Sequence, residues 1–68
     1  MFTKEEVQKL FQTYSPEEVA SRYKKEQICE MHNAVYGFYS REHMRKLEVA
    51  KAIARYFAGI DRAQHLKP

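Results

Sequence analysis

The chain has 68 residues, of which 44% are apolar and 31% charged, with 2 Gly, 2 Pro and a formal net charge of +3. That length excludes two domains with separate cores, and the many charges with so little Gly and Pro argue against both disorder and a β-sandwich. The charge is also uneven: residues 1–20 set two lysines against four glutamates, net −2, while residues 21–68 set ten Lys or Arg against five acids, net +5.

Cys29 is the only cysteine. It has no partner for an internal bridge, which suits a reducing compartment. The start "MFTKEEVQKL" lacks the apolar run of a signal peptide, and no segment approaches the roughly 18 apolar residues of a membrane span. The expectation is a cytoplasmic chain with no membrane partner, completed by neither disulfide nor metal, although domains below about 70 to 80 residues rarely draw more than about 3 to 5 kcal/mol from one core.

Thr3 followed by Glu6 reads as a capping box, so a front helix is expected over residues 4–13, with Val7, Leu10, Phe11 and Tyr14 as its apolar stripe. "SPEEV" is the strongest local signal. Ser15 caps, Pro16 takes the first helical position where a missing N–H costs nothing, and Glu17 and Glu18 face the positive end of the dipole. From Pro16 the apolar positions Val19, Ala20 and Tyr23 keep helical spacing, then lapse until Ile28 and Cys29; a bend or break is expected near Arg22 to Lys25. Ile28, Met31, Ala34 and Val35 form the next stripe, and Gly37 is the natural stop because it accepts a positive φ.

"GFYSREHM" then reads as an extended loop. The last helix is expected from about Arg45 to Ala58, with Gly59 closing it and residues 61–68 frayed. In this helix Leu47, Val49, Ala50, Ile53, Ala54, Tyr56 and Phe57, with Ile60 beyond, occupy one arc, while Arg45, Glu48, Lys51 and Arg55 occupy the other. The fold class expected is all-α: a single small domain, residues 1–68, of three to four helices with a helix-loop-helix core over residues 16–58. Tyr14, Val19, Tyr23, Ile28, Met31, Val35, Leu47, Ala50, Ile53, Ala54 and Phe57 are the expected core.

Catalytic chemistry is not expected. Glu5 with Glu6 and Glu17 with Glu18 are adjacent pairs that diverge around a helix and serve capping, and no nucleophile lies beside a base. Cys29 and His32, at i and i+3, can face one ion with His43 as a third ligand, but a structural zinc site wants four; a small buried thiol and a helix-surface imidazole are expected instead, with no metal and no cofactor. Phe38 is expected to plug the gap between helices, and Tyr39 is open between that role and a platform for bases.

One feature of the charge pattern needs an explanation. Arg41, His43, Arg45 and Lys46 gather where the last helix begins, although a helix start carries roughly +0.5 elementary charge and disfavours each exposed cation nearby by about 0.3 to 1 kcal/mol. Free backbone N–H groups and cations together make a site for an anion such as phosphate. Lys51 and Arg55 extend the cations along the solvent face, and Glu42 and Glu48 partly offset them.

The run "HMRKLEVAKAI", with Arg45, Lys46, Glu48, Val49, Ala52 and Ile53 in register, resembles the second helix of helix-extended loop-helix modules, the SAP-like and Rho termination factor N-terminal-like group. "KKEQICEMHNAVYG" resembles their first helix ending in Gly, and "SPEEVASRY" the short helical turn before it, so the resemblance spans about Ser15 to Phe57. The loop here is longer and more aromatic than in many SAP motifs, and a front helix is added. The resemblance implies nucleic-acid binding, DNA ahead of RNA, with Arg45 and Lys46 at the contact end of the second helix and Arg41 and His43 beside them. The expected function is a nucleic-acid-binding accessory module that holds backbone phosphates with Arg41, His43, Arg45, Lys46, Lys51 and Arg55, with Tyr39 beside them. The alternative is a protein-interaction or self-association module, since LEM-type relatives on this scaffold bind proteins, that buries Phe2, Phe11 or Tyr39 against its partner.

Overall fold

The computed structural model describes the backbone of residues 1–66 and the side chains of residues 1–59. Four helices and no strand are present among the described residues: α1 Lys4–Thr13, α2 Pro16–Arg22, α3 Lys25–Tyr36 and α4 Lys46–Leu66. The protein is a small all-α domain.

The first three helices start where local chemistry dictates. Thr3 Oγ1 accepts from the Glu6 amide at 3.2 Å while Glu6 Oε1 accepts from the Thr3 amide at 2.9 Å, the reciprocal box. Those hydrogen bonds hold the Glu6 carboxyl below its ordinary range. Ser15 Oγ accepts from the Glu18 amide at 3.3 Å, with Pro16 at the first helical position. The Gln27 side chain accepts from the Lys24 amide at 2.9 Å, which opens α3 after the break that the lapsed stripe predicts. α3 ends on Gly37 at φ 85°, a left-handed conformation that costs a residue with a Cβ roughly 1 to 2 kcal/mol.

Helix α4 packs across α2 and α3, and α1 lies against α2 and α3. The core between them is Val7, Val19, Ala20, Ile28, Met31, Val35, Val49, Ala50, Ile53 and Phe57. Seven of these were expected. Val7, Ala20 and Val49 are additions, while Tyr14, Tyr23, Leu47 and Ala54 are only half-buried. The tyrosines stay at the margin because their rings have uses there: Tyr14 lies under the Arg22 guanidinium at 4.3 Å, and Tyr23 takes the edge of Phe2 at 6.2 Å.

Gly59 does not close α4, which continues to Leu66. Gly in a helix interior costs only about 0.5 to 1 kcal/mol relative to Ala, and the sequence from Ile60 to Leu66 contains the good helix formers Arg62, Ala63, Gln64 and Leu66 and no proline. Of the tail expected to fray, residues 61–66 are helical, and residues 67–68 lie outside the described residues. No described helix is long and apolar enough to cross a membrane.

Candidate nucleic-acid interface

The segment from Gly37 to Arg45 is fastened to α3 at three levels. The carbonyl of Phe38 can only accept, so His32 Nδ1–H donates to it, at 2.8 Å. Cys29 Sγ and Ser40 Oγ share a hydrogen bond at 3.2 Å, and Lys25 Nζ donates to the Glu42 carbonyl at 2.6 Å. Residues 32, 29 and 25 therefore meet 38, 40 and 42 in turn. The loop runs back along the helix. Seven helical residues span about 10.5 Å, and the loop covers that length in four residues, about 2.6 Å each, so it is more drawn out than a helix and less than the 3.2 to 3.4 Å per residue of a strand.

Sequence reasoning missed this fastening, although its signal is visible afterwards: Lys25, Cys29 and His32 follow i, i+4, i+7 spacing on one face of α3. Cys29 and His32 thus face the loop. His32 is not a surface imidazole; it is 7% exposed, stacked on Tyr36 at 4.4 Å and met at its edge by Phe38 at 5.3 Å. Among the described residues no group of three or more His, Cys, Asp or Glu side chains is placed to hold a metal ion.

The same rings overturn the expectation for Phe38. It does not plug the gap between the helices, because His32 and Tyr36 fill that space, and it stands 61% exposed. Tyr39, 57% exposed, lines a groove of about 470 Å³ together with Lys25, Glu26, Cys29, Glu30, Ser40 and Glu42. Arg41, Glu42 and His43 are exposed as well, and Ser40 and Met44 turn partly inward. A turn closed by the Met44 amide on the Arg41 carbonyl at 3.1 Å delivers the chain to α4.

Helix α4 starts differently from its predecessors. The Val49 amide bonds the Arg45 carbonyl at 3.0 Å, so Arg45 occupies the cap position, where no side-chain acceptor of its own is available. Among the described residues no protein acceptor takes the amides of Lys46, Leu47 or Glu48. Arg41, His43, Arg45 and Lys46, together with Lys51 and Arg55, are all exposed.

The cations do not form one strip. At about 100° per residue, Lys51 and Arg55 ride the outer side of α4 and Arg45 sits at its edge, on the side of Ala52 and Tyr56, with about 15 Å of axis between Arg45 and Arg55. Lys46, four residues before Ala50, lies on the core-facing side and clears the core only because it is at the end of the helix. Arg45 and Lys46 therefore flank the open amides from two sides.

Comparison of the chain with family models, with curated proteins and with solved structures finds no match.

Proposed function

We propose that this chain is a nucleic-acid-binding accessory module that holds backbone phosphates at the start of α4. The observation that carries the reading is the open first turn of that helix, whose three amides meet no protein acceptor among the described residues, between the exposed side chains of Arg45 and Lys46. A helix start of this kind favours an anion through both its N–H groups and its dipole. Arg41 and His43, exposed on the loop just before that turn, add further cations, and Lys51 and Arg55 reach further phosphates along the outer face. Because the loop is already fastened to α3 at three levels, little ordering entropy is lost on binding.

Contacts of this type position the protein on a backbone and do not read sequence. DNA comes ahead of RNA on the resemblance of the α3-loop-α4 segment alone. The protein-interaction reading stands second, since Phe2 and Phe11, two of the three rings it would bury in a partner, already pack on Tyr23 and Phe57.

The test is a titration of fluorescently labelled duplex DNA at 50 and 200 mM salt. Engagement of about four phosphates gives a slope near −3.6 in log K against log salt, hence a loss of roughly a hundredfold between the two conditions. The double variant Arg45→Glu/Lys46→Glu is expected to abolish the salt-sensitive part. Binding that ignores both salt and the double variant would remove this function from the chain.

A further inference from the structure

Phe38 is a large apolar ring held mostly in solvent by a rigid support. It meets His32 at its edge and Tyr36 at 5.9 Å. Tyr36 is itself fixed, its hydroxyl donating to the Ala52 carbonyl of α4 at 2.9 Å and its ring meeting Tyr56 at 5.1 Å. Tyr56 continues the array to Phe57 at 5.4 Å. The rings therefore run along the seam between α3 and α4, and only the Phe38 end of the array is open.

Cations lie at both ends of this seam. Arg45, Ala52 and Tyr56 are seven and then four residues apart, which puts them on one side of α4. Arg45 is thus about two turns, roughly 10 Å, before the point where Tyr36 is anchored. At the other end Lys4 Nζ stands over the Tyr56 ring at 5.0 Å. An exposed, braced aromatic face between two cations suits a chain of alternating flat rings and negative charges. Duplex DNA presents the charges but keeps its bases stacked inside.

Resting on the function proposed above, we infer that the preferred ligand is single-stranded nucleic acid, with one base stacked on Phe38 and the backbone following the α3–α4 seam from Arg45 toward Lys4. Aromatic side chains with nearby cations bind single strands in this way, tolerant of sequence because every base has a π-face. The cost of displaying Phe38 in water is then recovered on binding. Phe38 becomes a specificity-determining residue, and Lys4, in the acidic part of the sequence, becomes a backbone contact.

The experiment compares three labelled probes on the full chain, each at a low and a high salt concentration: a twelve-nucleotide oligothymidylate, an abasic oligomer of the same length, and a duplex of twelve base pairs. One stacked base raises affinity by roughly 5- to 150-fold, so the oligothymidylate is expected to bind tighter than the abasic strand by a factor in that range, and tighter than the duplex. Phe38→Leu keeps apolar bulk while removing the ring face; it should bring the oligothymidylate down to the abasic level and leave duplex binding unchanged. Circular dichroism melting of the same sample shows whether the variant remains folded. Equal affinity for the oligothymidylate and the abasic strand overturns the inference without using any variant. Salt-sensitive duplex binding with no gain from bases defeats this inference alone, whereas no salt-sensitive binding to any probe defeats the function proposed above as well.

Discussion

The fastening of the loop makes a prediction at His32. The imidazole is 7% exposed, donates to the Phe38 carbonyl at 2.8 Å and stacks on Tyr36 at 4.4 Å. His32→Phe keeps the ring pairs and removes the donor. Its cost is one neutral hydrogen bond, about 0.5 to 1.5 kcal/mol. His32→Ala also loses two aromatic pairs, worth about 0.5 to 1.5 kcal/mol each beyond their area, for a total of about 1.5 to 4.5 kcal/mol. Against the 3 to 5 kcal/mol typical of so small a core, the alanine variant keeps about 1 kcal/mol at the middle of both ranges and is only marginally folded at room temperature. For this chain length about 1 kcal/mol moves Tm by roughly 4 to 8 °C. Thermal unfolding followed by circular dichroism should rank parent, then His32→Phe, then His32→Ala. An alanine variant melting within about 2 °C of the parent would refute the claim that the loop is held through this side chain.

The two glycines should respond with opposite signs: Gly37→Ala places a Cβ at φ 85° and costs about 1 to 2 kcal/mol, whereas Gly59→Ala, helical and with open space around its Cβ, should gain about 0.5 to 1 kcal/mol, both read from denaturant midpoints. Ile53→Asp sets a carboxylate at a fully buried site and should abolish cooperative unfolding; a melt as sharp as the parent's would displace Ile53 from the core. The Glu6 carboxyl is held below its ordinary value by its hydrogen bonds to Thr3, so the folded state favours the ionised form. That contribution is complete above the ordinary carboxylate pKa of about 4.3 and is lost as pH falls through the lower folded value. Glu6→Gln should flatten stability against pH below that point, and an unchanged acid limb would contradict the assignment.

The parts of this fold legible in the sequence are those fixed by neighbours three or four residues away. Thr3 with Glu6, and Ser15 with Pro16, carry their partners within one turn, so both helix starts and the break between α2 and α3 are readable. Gly37 is readable because Val35 is the last apolar position of its stripe. Gly59 misleads for the converse reason: the residue type permits a stop, but its small cost is outweighed by the helix formers that follow. The contacts of Lys25, Cys29 and His32 span 17, 11 and 6 residues, and nothing local announces that a loop will fold back along α3. Phe38 was misplaced with them, since the space it was expected to fill belongs to His32 and Tyr36. The cations at the start of α4 are visible from their pattern alone, but the separation of Lys46 from Arg45, Lys51 and Arg55 follows only from where the core side of α4 lies.

The most direct measurement is the position of bound nucleic acid on the amide resonances of the folded chain. On titration with a twelve-base-pair duplex at low salt, the largest shifts should fall on residues 41 to 48, with the Lys46, Leu47 and Glu48 amides foremost, and should shrink as salt is raised. Shifts centred on α1 or on the groove bordered by Glu26 and Glu30, or a start of α4 that does not respond at all, would contradict the account.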